Sequence, residues 1–135
     1  MRAWPPAALL FSLALAGCSR EDPGLPPDYR RVEVPGARLR SPEARARGRA
    51  LFLEHCALCH GERADGRGSR REAFTRPPAD FTDAAWRRRT SDRRAYFVIR
   101  EGVPGTPMPS WRWTLDEGDI WDLVAYVRSV AEPGR

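Results

Sequence analysis

Residues 56 to 60 read Cys56-Ala57-Leu58-Cys59-His60, and the reading of this pentapeptide decides the fold. Two thiols three positions apart can add across the two vinyl groups of one porphyrin, and the histidine that follows is placed to ligate its iron. C-x-x-C-H is the pattern of covalent haem attachment. Three other readings compete. A structural zinc site needs four protein ligands, usually from two separated pairs, but every Cys and His other than Cys18 falls within residues 55 to 60. A redox dithiol wants a preceding strand in a βαβ context, whereas the approach from Ala44 to Glu54 is helical in composition. A Cys56–Cys59 disulfide closes too small a loop to stabilise much and gives no reason for His60. The motif predicts one covalently bound haem c.

The third cysteine has its own reading. Met1 to Gly17 holds an apolar run from Ala7 to Ala16, too short to span a bilayer, followed by small residues, and reads as an export signal. Leu15-Ala16-Gly17-Cys18 resembles the lipobox of bacterial lipoproteins, which implies lipid on Cys18 as the first residue of the mature chain. The alternatives are an ordinary cleaved signal that leaves Cys18 as a free thiol, or retention of residues 1–17 as an anchor, against which Pro5 and Pro6 count. The expected address is the periplasm or cell envelope, with the protein held to a membrane by lipid at Cys18. In bacteria c-type haem is generally attached outside the cytoplasm, so the two motifs agree on compartment.

Residues 18–41 are polar and interrupted by Pro23, Pro26, Pro27 and Pro35, which break any helix or central strand. The segment reads as a tether, with a coil dimension of about 25 to 30 Å and a reach of about 70 Å. The alternative is that Val32 to Leu39 packs on the domain as an extended arm. Residues 42–135 then form one domain without internal repeats, enough for a single haem. Ser41-Pro42-Glu43 supplies an N-cap, a proline at the first helical position and an acidic first turn, opening a helix that runs into the haem motif. Ser91-Asp92 opens a second helix, which Gly102 is placed to end. Thr114-Leu115-Asp116-Glu117 reads as a capping box before a helix in which Ile120, Leu123, Val124 and Val127 recur at helical spacing. No segment alternates with period two, so the fold class is all-α, with residues 61–83 mostly loop.

With these residues in view, the stretch from about 42 to 131 resembles the class I cytochromes c, small electron carriers with one His/Met-ligated haem. The resemblance implies N- and C-terminal helices that cross around the covalently bound haem. Gly48, Leu51 and Phe52 look like the family's first helix, whose glycine lets the C-terminal helix approach, and Leu123 to Val127 look like the answering face. His60-Gly61 followed by Gly66-Arg67-Gly68 resembles the turn after the haem motif. Pro77-Pro78 resembles the segment whose backbone carbonyl accepts the His60 Nδ1 hydrogen bond, which would make Nε2 the better donor to iron. Elimination and resemblance both lead to Met108 as the second axial ligand, 48 residues after His60 within Gly105-Thr106-Pro107-Met108-Pro109. His55 adjoins the attachment motif, and Met1 leaves with the signal. A thioether is a soft ligand that raises the reduction potential relative to a second imidazole. The alternative is a five-coordinate haem that binds a gas or peroxide.

Other chemistry finds little support in the sequence. With His60 assigned to iron and His55 misplaced beside the attachment motif, no histidine is left for acid/base work, and there is no glycine-rich phosphate loop, serine elbow or second metal cluster. The expected role is not enzymatic: one-electron transfer between redox protein partners, as a free shuttle or as the haem subunit of a larger dehydrogenase or oxidase. The net charge of +5 rests on 23 basic residues, all arginine, a choice that fits a coding bias and does not imply nucleic acid. Its distribution is more informative. Residues 62–100 carry 11 arginines against 6 acids, and residues 101–135 carry 3 against 6, a dipole suited to steering. Arg87-Arg88-Arg89 reads first as a solvated run and second as a contact for a partner or for anionic lipid. Trp111, just beyond the methionine loop, is expected either to line the haem pocket or to pack in the core.

Overall fold

The computed structural model describes residues 22–71 and 75–132, and every element in them is helical. Seven helices follow in order: α1 (Pro27–Arg30), α2 (Gly36–Arg40), α3 (Pro42–His55), α4 (Ala57–His60), α5 (Ala84–Arg89), α6 (Asp92–Glu101) and α7 (Glu117–Val130). The expected export signal at 1–17 and the expected lipidation site Cys18 lie outside the described residues.

The core is the crossing of α3 and α7. Ser41 Oγ accepts the Ala44 N–H at 3.2 Å and Pro42 occupies the first turn, so α3 begins where the sequence places it. Its buried residues are Ala44, Gly48 and Phe52, spaced by four and therefore on one face. Against them α7 sets an almost continuous buried run from Ile120 to Val127. At the crossing, a Cβ on Gly48 would lie 1.9 Å from the Asp122 carbonyl oxygen and 3.0 Å from the Tyr126 Cβ. Only glycine permits so close an approach. Phe52 packs beside Tyr126, with ring centroids 5.2 Å apart.

Helix α7 starts two residues later than the capping-box reading expects. Its N-cap is Asp116, whose carboxylate accepts the Asp119 N–H at 2.8 Å. Thr114 instead ends a tight turn, its N–H bonded to the Trp111 carbonyl at 3.0 Å. The apolar residues decide the start: Leu115 and Ile120 are both buried and occupy the two staple positions that flank an Asp116 cap. Helix α5 was not expected at all. Asp83 caps it by accepting the N–H groups of Ala85 and Trp86, and Arg128 of α7 closes its far end by donating to the carbonyls of Arg87 and Thr90 at 2.8 and 2.7 Å. At its N-terminus α6 is capped by Ser91, which accepts from Arg94 N–H at 3.0 Å, and it stops at Gly102 with φ of 75°.

The segment before Ser41 differs from the expected tether. From Asp22 onward it lies on the domain: Leu25 is 2% exposed, Tyr29 meets Phe97 edge-on at 4.7 Å, and Arg93 Nε donates to the Val32 carbonyl at 2.8 Å. Arg38 holds α2 to α7 through two hydrogen bonds to the buried Asp122, at 2.6 and 3.0 Å. Arg94 grips Asp22 in the same bidentate way, at 3.0 and 2.7 Å. The alternative of a packed arm over Val32 to Leu39 is nearer, but the packed part begins at Asp22 and includes two short helices. The prolines therefore do not break every helix here: Pro27 takes the first position of α1, where its missing N–H costs nothing, and α2 follows Pro35.

Candidate haem site

The haem motif sits where α3 breaks into α4. Cys56 still donates its N–H to the Phe52 carbonyl at 2.8 Å, and His60 N–H reaches the Cys56 carbonyl at 2.9 Å, so Cys56, Cys59 and His60 share one short helical stretch. The glycine turn that follows then folds back over it. The N–H groups of Gly66, Gly68 and Arg70 satisfy the carbonyls of His60, Cys59 and Leu58 at 2.8, 3.1 and 3.1 Å. The attachment residues are thus fixed from both sides by backbone bonds.

These three side chains line a cavity of about 310 Å³ whose wall is mostly apolar. Pro77, Pro78, Val98, Val103, Met108 and Trp111 line it as well. His60 is oriented by Nδ1, which lies 3.1 Å from the carbonyl oxygen of Ala79. A carbonyl only accepts, so Nδ1 carries the hydrogen and Nε2 keeps the lone pair a metal needs. This corrects the expected acceptor: Pro77 and Pro78 line the cavity, but the bond is made one residue beyond them. Phe81 completes the support, stacked on the imidazole at 4.9 Å and held in turn edge-on by Trp86 at 4.7 Å. Phe81 is not marked in the sequence, because nothing in a loop-like stretch singles out one aromatic as the neighbour of His60.

Met108 is held by its own backbone. Its carbonyl accepts the Val103 N–H at 3.1 Å, and its N–H donates to Thr106 Oγ1 at 3.3 Å. Thr106 is tied back to the Val103 carbonyl through both N–H and hydroxyl, at 3.1 and 2.8 Å. Gly102 was read only as a helix stop. A Cβ there would come within 2.7 Å of the Met108 carbonyl oxygen, so the helix end is also a seat for the methionine loop. Trp111 lies on the cavity wall with His55 against it, centroids 5.2 Å apart.

Burial sets the electrostatics. It pushes the Cys56 thiol up to about 12, with Cys59 adding to the effect. Cys56 is therefore a neutral thiol, unlike the low-pKa thiolate of a redox dithiol. Burial also lowers the His60 pKa, the Ala79 bond opposing it, so the imidazole is neutral and a competent ligand at neutral pH. Two thiols, a neutral imidazole and a thioether around an apolar cavity suit a porphyrin and its iron, and poorly suit a hard cation, which wants oxygen donors.

Fold and site together define a small all-α protein built around covalently bound haem. The family model described as "Cytochrome c" matches residues 45–131, and the chain belongs to the cytochrome c family. Among curated relatives, the CcoP subunit of the cbb3-type cytochrome c oxidase of Cereibacter sphaeroides is 36% identical over 88 residues, 63% of this chain and 27% of that protein. Cytochrome c55X of Stutzerimonas stutzeri is 36% identical over 77 residues, covering 55% of this chain and 57% of that protein. The chain therefore spans well under two thirds of the length of either. Among solved structures, the c-type cytochrome KustC0563 superposes with a TM-score of 0.56 at 32% identity, over 63% of this chain and 98% of that one. The Kuenenia stuttgartiensis reducing HAO-like protein complex gives a TM-score of 0.58 at 27% identity over 68% of this chain and 46% of that one. Membership brings covalently bound haem c, carried by Cys56 and Cys59, and a role in haem-based electron transfer. Among the described residues no helix is long and apolar enough to cross a membrane.

Proposed function

We propose that this chain is a one-electron carrier of a bacterial respiratory or other periplasmic electron-transfer chain, with His60 and Met108 as the axial ligands of its one haem and lipid on Cys18. The observation that supports the ligand pair is a single cavity lined by Cys56, Cys59, His60 and Met108. Haem c, when bound, supplies the one-electron couple. The protein's part is to hold its ligands still: Ala79 fixes the imidazole tautomer, Phe81 stacks on its ring, and the Gly102 to Ser110 loop fixes the backbone that carries Met108. A ligand set that does not move between oxidation states keeps reorganisation small. A thioether in that set raises the potential relative to bis-histidine ligation.

The test is an intact mass and a redox titration on the exported protein. The mass should equal the mature chain plus one haem and the lipid, and the midpoint potential should be moderately positive and fall clearly in Met108→Ala. An unchanged potential in that variant would remove Met108 from the ligand set. A second reading, a fixed haem module of a larger complex, draws support from the relatives named as oxidase subunits. Purification from membranes as a stable stoichiometric assembly would favour it over a free shuttle.

A further inference from the structure

The packed N-terminal arm changes what the lipid attachment means. Asp22 is fixed by Arg94 and by the Ser91 hydroxyl, which donates to it at 3.2 Å, and Cys18 lies only four residues before it. Four residues reach at most about 14 Å. A lipid on Cys18 would therefore hold the domain by this corner on a short leash, not at the end of a long tether. The corner is a wide groove lined by Arg87, Arg88, Arg89, Arg93, Arg94 and Arg128, against Asp22 and Asp92. Some of that charge is paired: Arg94 with Asp22, Arg128 with Asp92, Arg89 with Asp83 at 3.5 Å and Arg87 with Glu132 at 3.7 Å. The face keeps an excess of arginine, with Arg88 and Arg89 exposed.

We infer that this arginine face is the membrane-docking surface and that it binds the headgroups of anionic phospholipid. The orienting part of the inference rests on lipid at Cys18. The groove lies at the N-terminal end of α6, around Ser91 to Arg94, while Val98 and, just past its C-terminal end, Val103 line the haem cavity. Ten helical residues separate the two ends by roughly 15 Å. Docking by the arginine face thus places the membrane contact about one helix length from the haem cavity, which leaves the cavity open to a partner while the lipid stays inserted.

The test uses the exported, haem-loaded full chain carrying Cys18→Ser, so that lipid does not mask the face, and flotation with vesicles of phosphatidylcholine alone or with phosphatidylglycerol. Binding is expected only to the phosphatidylglycerol vesicles and should weaken with salt. Arg88→Gln combined with Arg89→Gln should reduce it about twenty-five-fold, since each arginine near an anionic surface contributes about fivefold. Arg49→Gln with Arg67→Gln removes the same charge from exposed positions elsewhere and should leave it within about twofold. No flotation, which would point to an acidic protein as the occupant, overturns the proposal, as does an equal loss in both pairs. The intact mass of the wild-type protein reports separately on the lipid: an unlipidated Cys18 would overturn the anchor and the orientation while leaving a positive flotation result in favour of the face.

Discussion

Replacing Gly48 with alanine tests the crossing that holds the haem fold. Two effects oppose each other. Within α3, alanine is the better helix former by about 1 kcal/mol. Against this, the new Cβ would stand 1.9 Å from the Asp122 carbonyl oxygen and 2.5 Å from its carbon, and both are backbone atoms of α7 that no rotamer change can move aside. An ordinary contact at about 3.4 Å requires the two helices to part by about 1.5 Å, which loosens Phe52 against Tyr126 along the same seam. Overpacking of this kind costs about 1 to 3 kcal/mol and more where backbone must shift. The net expectation is a loss of about 2 kcal/mol, or a Tm lower by roughly 10 °C for a domain of this size. Thermal unfolding of the holoprotein, followed both by far-ultraviolet circular dichroism and at the haem band, measures it. An unchanged or higher Tm in Gly48→Ala would refute the close crossing, because helix propensity alone would then account for the result.

Three further outcomes are expected. Gly102→Ala combines a φ of 75° with a contact of 2.7 Å to the Met108 carbonyl, so the variant should lose about 2 kcal/mol of stability and bind carbon monoxide in its reduced form more readily than wild type, as read by absorbance. Arg38→Ala removes one of two guanidinium groups from Asp122, which is 1% exposed. Because Arg47 remains at 3.2 Å, the cost should be about 2 kcal/mol, below that of a fully orphaned buried charge, with faster proteolysis of residues 22–40. The hydrogen bonds from Arg94 hold the Asp22 carboxyl below its ordinary value of 3.8. A depressed folded pKa means that its contribution to arm docking is fully present above about pH 5 and is lost as pH falls through the folded value. Hydrogen exchange over residues 25–31, corrected for intrinsic rate, should show protection that is flat above pH 5 and declines below about pH 4.

Much of the site was legible because its chemistry is written locally. Cys56, Cys59 and His60 fall within five consecutive positions, and Ser41, Pro42, Ser91 and Gly102 act on neighbours within a turn, so spacing alone places them. What was not legible depends on contacts distant in sequence. The acceptor for His60 is Ala79 and not a proline carbonyl, a register of one residue that only the folded loop sets. Phe81 earns its place beside the imidazole through Trp86 and Phe52, 34 residues apart in the chain. The arm was misread for a related reason: Arg38 and Asp122 lie 84 residues apart, and nothing in a proline-rich composition announces partners so remote. The start of α7 shows local signals in competition, with Thr114 and Asp116 both able to cap and the burial of Leu115 and Ile120 choosing between them.

The most direct test of His60 and Met108 as the two axial ligands is the response of the native protein to carbon monoxide, taken with the ferric spectrum. Filled axial positions should leave the reduced spectrum unchanged on addition of the gas, and the ferric form should show the charge-transfer band of a methionine sulfur on iron. Ready binding of carbon monoxide by native reduced protein, with that ferric band missing, would contradict the account and mark the haem as five-coordinate.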